Sequence, residues 1–246
     1  MSDRPNKVAL ITGGSRGIGA AIAERLARDG FTVVINYARR GDAAEALLEK
    51  IRESGGQGMA LQADVADPAA FARLFDTVEA EYGGLDVLVN NAGMIHYANL
   101  VDFDDATFDR LMAVNLKGTF NGMREAARRL RDGGRIVNLS TSVLGMKLPT
   151  YSVYAASKAA VEAMTSVLSK ELRGRNITVN AVSPGPTATD LFLEGKSQEV
   201  VDRLAMMSPL ERLGAPEDIA RVVSFLAGPE GGWINGQVVR ANGGIV

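Results

Sequence analysis

Short apolar runs alternate with amphipathic stretches along the whole chain. Val8-Ala9-Leu10-Ile11 is unbroken, and similar runs recur at Thr32 to Tyr37, Gly58 to Gln62, Leu85 to Asn90, Arg135 to Leu139, Ile177 to Val182 and Gln237 to Ala241. Such runs fit parallel strands covered on both faces. Between them apolar residues recur at helical spacing: Ile18, Ile22 and Leu26; Ala44, Leu47, Leu48 and Ile51; Phe71, Leu74, Phe75 and Val78, this last set opened by Asp67-Pro68 as N-cap and first-turn proline. One helix is predicted from Asp104 to Arg131 with Phe108, Leu111, Met112, Leu116, Phe120 and Met123 along it. Another runs from Ser152 to Arg173 with Ala155, Ala159, Met164, Leu168 and Leu172 for packing, and a final one begins at Gly214 to Asp218. The alternation predicts an α/β fold, a doubly wound parallel sheet of seven strands, in a single domain spanning residues 1–246. Residues 188–213, with Leu191, Phe192, Leu193, Leu204, Met206, Met207 and Leu210 interleaved with charges, read as a lid.

The first strand runs into a glycine-rich turn and then a helix, the context in which backbone N–H groups at a helix N-terminus hold a phosphate. Gly13, Gly17 and Gly19 allow a tight turn and close backbone approach, making the turn with Ser15, Arg16 and Ile18 the expected cradle of a dinucleotide pyrophosphate. The end of the second strand, where the adenosine ribose is met, reads Asn36-Tyr37-Ala38-Arg39-Arg40, with no carboxylate between Phe31 and Gly41. A carboxylate there would bind a ribose 2′-hydroxyl; arginines, with Arg16 across the turn, suit a 2′-phosphate instead. NADP(H) is therefore the expected cofactor.

Composition narrows the remaining classes. There are 27 Lys plus Arg against 29 Asp plus Glu, a net charge of −2, which gives no reason to expect nucleic acid or a membrane surface as partner. The absence of cysteine removes thiol catalysis and thiolate metal sites, and no metal centre is expected. The lone His96 has no partner for a triad. The first residues, MSDRPNK, hold no apolar signal core, so a cytoplasmic location is expected.

Tyr154 and Lys158 lie four residues apart, one helical turn, so phenol and ammonium share a face. A nearby cation favours phenolate and would bring the tyrosine closer to the range useful for proton transfer. Hydroxyls at Ser140-Thr141-Ser142 emerge where the fifth strand ends. Taken in order, Thr12-Gly13-x-x-x-Gly17-x-Gly19, Asn90-Asn91-Ala92-Gly93, Asn115, Ser142, Tyr154/Lys158 and Pro184-Gly185 resemble the classical short-chain dehydrogenase/reductase family over essentially the whole chain, most closely its 3-oxoacyl-carrier-protein reductase branch.

The resemblance implies a Rossmann-type fold and a catalytic set of Asn115, Ser142, Tyr154 and Lys158, with Asn115 holding a water in a proton relay. Ser142 is chosen because Ser142-Val143-Leu144-Gly145 matches the family's Ser-Val-x-Gly, although the segment from there to Tyr154 is one residue shorter than in many carrier-protein reductases. It also implies that Asp64 and Val65 meet the adenine, that Asn91, Ala92 and Gly93 border its ribose, and that Pro184, Gly185, Thr187 and Thr189 meet the nicotinamide end, beside Tyr154 and Lys158. A homotetramer is implied. The expected substrate is a small carbonyl or alcohol, first a 3-oxoacyl thioester, for whose acidic carrier protein Arg128, Arg129, Arg131, Arg173 and Arg175 offer a basic surface. The alternatives are a sugar, alcohol or steroid dehydrogenase and, outside enzymes, a dinucleotide-binding redox sensor.

Overall fold

A computed structural model describes residues 7–246, so the reading of the first six residues as free of a signal core lies outside it. In chain order the elements are β1 (Val8–Ile11), α1 (Gly17–Arg28), β2 (Thr32–Tyr37), α2 (Gly41–Glu53), β3 (Gln57–Gln62), α3 (Pro68–Tyr82), β4 (Val87–Asn90), α4 (Asp105–Met112), α5 (Gly118–Arg129), β5 (Arg135–Leu139), α6 (Val143–Met146), α7 (Ser152–Glu171), β6 (Thr178–Pro184), α8 (Asp190–Leu193), α9 (Gln198–Met206), α10 (Pro216–Ala227) and β7 (Val238–Ala241). All seven strands are parallel, in the order β3-β2-β1-β4-β5-β6-β7. The chain winds outward from β1 in both directions, leaving a crevice where β1 and β4 part company at their carboxyl ends.

Alternation along each strand builds two cores. Ala9, Ile11, Val33, Ile35, Val87 and Val89 face Ile22, Leu26, Leu48 and Val223 of α1, α2 and α10. Val8, Leu10, Val34, Leu88 and Ile136 face Phe71, Phe75, Met123, Ala126 and Val161 of α3, α5 and α7. Asp67 caps α3 as expected, accepting from the N–H groups of Ala69 (2.8 Å) and Ala70 (3.2 Å).

Two predicted helices differ from expectation. The long one is interrupted at Ala113–Lys117 by a π turn, which rotates the following residues around the axis. Phe120, after the turn, therefore lies on an exposed face rather than in the core, and Phe108, before it, is exposed as well. In α7 the buried side is Val153, Ser157, Lys158, Val161 and Thr165, while Ala159 faces outward. An apolar periodicity cannot find that face, because three of its five residues are polar and are buried through hydrogen bonds.

Candidate active site

The glycine turn after β1 is fixed from two sides. Thr12 Oγ1 accepts from the N–H groups of Asn91 and Ala92, both at 3.0 Å, and Asn91 Nδ2 donates to the carbonyls of Thr12 (2.9 Å) and Gly13 (3.0 Å). Asn36, buried at the end of β2, spans to β3 by donating to Leu61 and Ala63 carbonyls. Gly13 (φ +60°) and Gly17 (φ +53°) occupy the left-handed region. A Cβ at Gly13 would reach within 2.9 Å of the Ala92 backbone, and one at Gly19 within 2.5 Å of Asn91 Nδ2.

The N-terminus of α1 has no side-chain cap and no acidic residue in its first turn. Its unpaired N–H groups and the positive end of the helix dipole face a crevice of about 680 Å³. Arg16, Arg39 and Arg40 line the same end, and among the described residues none of them is in an ion pair. Glycines that leave room for a ligand backbone, free donors and unpaired guanidiniums together fit a phosphorylated dinucleotide. At the adenine end Asp64 is held on both sides: Oδ1 accepts from Ala66 N–H at 2.9 Å, and Oδ2 takes both terminal nitrogens of Arg110 at 3.1 Å. Burial works to raise this carboxyl, but the Ala66 N–H and the Arg110 guanidinium outweigh it and hold it below the usual range. Arg110 also lines the crevice and has no warning in the sequence, being one helical arginine among several.

Every residue expected to bind or act lines this crevice except Asn115, which is fully buried behind Gly93. Asn115 sits in the π turn. Its amide accepts from Met94 N–H at 2.8 Å and donates to the Met94 carbonyl at 2.9 Å and to Ser157 Oγ at 3.2 Å. Thr119 Oγ1 caps the Asn115 carbonyl at 2.8 Å, satisfying a group of the disturbed helical ladder. A Cβ built on Gly93 would lie 3.5 Å from Asn115 Oδ1 and 3.7 Å from Lys158 Nζ, which places Gly93 between amide and ammonium.

Lys158 is 4% exposed and donates to the Leu139 carbonyl at 2.7 Å, and burial pushes its pKa down to about 8. Tyr154 is pushed up to about 12, chiefly by burial, against a hydrogen-bonding interaction with the Thr141 side chain that lowers it. The lowered phenol suggested by the one-turn spacing is thus not reached in the protein alone, because burial outweighs any pull from the ammonium.

The adjacent hydroxyls differ in their surroundings. Thr141 is the one near enough to the Tyr154 phenol to work against its upward shift, and both line the crevice. Ser142 turns the other way, its Oγ donating to the Ser183 carbonyl at 3.1 Å and accepting from Asn242 Nδ2 at 3.0 Å. Ser142, the residue expected to act on the substrate oxygen, lines the crevice with its hydroxyl held on the β6 and β7 side.

Beyond Tyr154 the wall is aromatic. Tyr151 stands edge-on to Tyr154 with centroids 6.4 Å apart, and Tyr97 edge-on to Tyr151 at 4.9 Å. Met94, Ile95, Val143, Met146, Leu148, Leu191, Phe192 and Leu204 complete this end. Lys196, from the segment between α8 and α9, lies over the Tyr97 and Phe192 rings at 4.9 and 4.7 Å and meets Tyr97 Oη at 3.3 Å, spanning the mouth. Thr189 caps α8 by accepting from Phe192 N–H at 3.2 Å, and Thr187 Oγ1 donates to the Gly185 carbonyl at 2.9 Å.

Of the five arginines expected to offer a basic surface, four are in ion pairs. Arg129 is clasped by Asp76, Glu79 and Glu125, Arg128 meets Glu125, and Arg175 meets Asp132. Arg131 pairs with Asp86, which also accepts the N–H of Val8 at the amino end of β1, opposite the crevice. Arg129 thereby ties α5 to α3, and Arg131 ties the end of α5 to the loop before β4. Among the described residues no cluster of three or more His, Asp or Glu could hold a metal ion, and no helix is long and apolar enough to cross a membrane. His96 packs edge-on against Phe103.

A sequence profile described as enoyl-(acyl carrier protein) reductase matches residues 13–246. The chain is 48% identical over 250 residues to a short-chain type dehydrogenase/reductase of Picea abies, covering 98% of this chain and 92% of that one. It is 41% identical to a chloroplastic NADPH-dependent aldehyde reductase-like protein of Arabidopsis thaliana, covering 98% and 94%. Among solved structures, a short-chain dehydrogenase from Burkholderia cenocepacia in complex with NADP superposes with a TM-score of 0.92 at 40% identity, covering 97% of each chain.

Proposed function

Because this chain belongs to the short-chain dehydrogenase/reductase family, we propose that it is an NADP(H)-dependent oxidoreductase that reduces a ketone or aldehyde carbonyl, or runs the reverse alcohol oxidation. The observation that carries this reading is one crevice holding an uncapped helix N-terminus and three unpaired arginines at one end, and Tyr154 with Lys158 at the other. Gly13, Ser15, Gly17, Ile18 and Gly19 would hold the pyrophosphate, and Arg16, Arg39 and Arg40 the 2′-phosphate. Asp64, Val65, Asn91, Ala92 and Gly93 would frame the adenosine, and Pro184, Gly185, Thr187 and Thr189 the nicotinamide end. When bound, the reduced nicotinamide supplies the hydride.

The protein's own part is the proton and the polarity of the site. Tyr154, held protonated by burial, gives its proton to the carbonyl oxygen in the reductive direction. Thr141, beside the phenol, donates a hydrogen bond to the same oxygen as negative charge develops there. Lys158 favours the phenolate left behind, and Asn115, behind Gly93, would hold a water that returns the proton. Residues 188–213 act as a lid whose Leu191, Phe192 and Leu204 exclude water from the reacting end.

The aromatic and aliphatic wall favours a hydrophobic ketone, best one carrying an aryl group, over a polyol. A 3-oxoacyl thioester is the second reading; the profile that the chain matches is named for an acyl-carrier-protein reductase, although for an enoyl rather than a 3-oxoacyl group. Two separate exposed apolar faces support a homotetramer: Phe108, Phe120 and Val167 on the helices of one layer, and Phe225, Trp233 and Val238 near β7. The deciding experiment is a panel of aryl ketones, 3-oxoacyl thioesters, aldoses and steroid alcohols with NADP(H) and NAD(H), followed by reduced-nicotinamide absorbance. Aryl ketone turnover with NADPH is expected; tight NADPH binding with no turnover of any carbonyl or alcohol would replace the enzyme by a redox sensor.

A further inference from the structure

The turn that follows β7, Asn242 to Val246, touches three parts of the site at once. Gly243 (φ +64°) and Gly244 (φ +87°) place two consecutive residues in the left-handed region, and Asn242 Oδ1 closes the turn by accepting from Gly244 N–H at 3.0 Å. From this turn Asn242 Nδ2 donates to Ser142 Oγ at 3.0 Å and to the Val246 carbonyl at 3.3 Å. Val246 lies on Gly145, where an added Cβ would come within 2.9 Å of the valine side chain. Ser208, in the lid segment just after α9, donates its hydroxyl to the Gly243 carbonyl at 3.0 Å and accepts from Leu210 N–H at 3.2 Å. The turn also backs the Pro184–Thr187 segment: Gly185 N–H donates to the Ala241 carbonyl at 3.1 Å, and a Cβ on Gly185 would meet Asn242 Cα at 2.9 Å.

We propose that Asn242 is a positioning residue, and that its turn couples the closing of the lid to the placement of Thr141 against Tyr154. Ser142 is the relay in this arrangement. Its N–H donates to the Pro184 carbonyl at 2.9 Å, its hydroxyl is held by Ser183 and Asn242, and Thr141 precedes it by one peptide. A lid that shifts Ser208 pulls on Gly243, and through Asn242 the pull reaches the loop that carries Thr141, which lines the crevice together with Tyr154. Packed segments joined by directional hydrogen bonds move together rather than deform independently. The inference rests on the reading of Thr141 and Tyr154 given above.

The test uses the full chain with and without NADPH, comparing Asn242→Ala, Gly145→Ala and Gly145→Ala/Val246→Gly. Asn242→Ala is expected to speed amide exchange roughly tenfold in both the 141–148 and 204–213 segments, the effect of losing one anchoring hydrogen bond, with β5 unchanged. With the best aryl ketone of the substrate panel it should lower kcat by about 10- to 100-fold and change the NADPH Kd by less than about twofold. Gly145→Ala, which adds only a methyl group against Val246, should reproduce the kcat loss, and Val246→Gly should restore it. Faster exchange in only one segment or in neither, or a double variant no better than Gly145→Ala, overturns the coupling. Tyr154→Phe is the control for the underlying site: it should be inactive with wild-type exchange in both segments, and an active Tyr154→Phe rejects the site reading while leaving the exchange result to stand on its own.

Discussion

Replacing Lys158 by methionine should change how stability depends on pH, in a direction set by burial. The lysine is 4% exposed, makes one hydrogen bond to the Leu139 carbonyl, and titrates near 8 in the folded protein against 10.5 when unperturbed. Below pH 8 both folded and unfolded states carry the charge, and the cost of burying it is fully present, about 3.4 kcal/mol for a shift of roughly 2.5 units. Between 8 and 10.5 the unfolded chain binds more protons than the folded one, so stability rises with pH, and above 10.5 the cost is gone. Working the two titrations through, wild type gains about 2.5 kcal/mol between pH 7 and pH 10 from this group alone, and the methionine variant gains none of it. Urea unfolding of cofactor-free protein, followed by far-ultraviolet circular dichroism at fixed concentration, measures the difference at each pH. The unmade bond at Leu139 adds a constant offset, so only the slope matters. Parallel curves for the two proteins across this range would refute the account of Lys158 as a desolvated ammonium.

Tyr154→Phe should abolish turnover while leaving NADPH affinity within about twofold, measured by nicotinamide fluorescence; retained activity would remove the phenol as proton donor. Thr141→Ala should cost about 10²- to 10³-fold in kcat, as expected for a lost donor at the reacting oxygen, and Ser142→Ala much less; steady-state kinetics giving the opposite order would return the role to Ser142. Arg39→Ala should weaken NADPH by about 10- to 100-fold and NADH by far less, the range for charge-assisted hydrogen bonds to one phosphate; equal losses would refute the 2′-phosphate assignment.

The sheet was legible because its strands are continuous apolar runs: β1, β2 and β5 carry the boundaries that the runs predict, and the other four shift by one or two residues. The phosphate end was legible because glycine spacing and the missing carboxylate after β2 are local signals. The substrate end was less so. Three consecutive hydroxyls follow β5, and which one meets Tyr154 depends on where β6 and Asn242 stand, neither of which is near them in sequence. Arg110 and Lys196 gain meaning only from partners 46 and 99 residues away. Three of the arginines read as a docking surface, Arg129, Arg131 and Arg175, are paired with acids from outside their own helix or turn, and composition alone cannot separate a paired cation from a free one.

The π turn at Ala113–Lys117 has a consequence for what this helix can tolerate. Each residue advances an α-helix by about 100°, and the π turn takes up one extra residue, so one residue removed here would straighten the bulge while α5 kept its face toward α3. Asn115 would lose its alignment with Met94 and Ser157, whereas Met123 and Ala126 would stay in the core. Chain length here is as strictly set as side-chain identity, and a deletion far smaller than a loop would dismantle the wall behind Gly93 although no residue in the crevice had been changed.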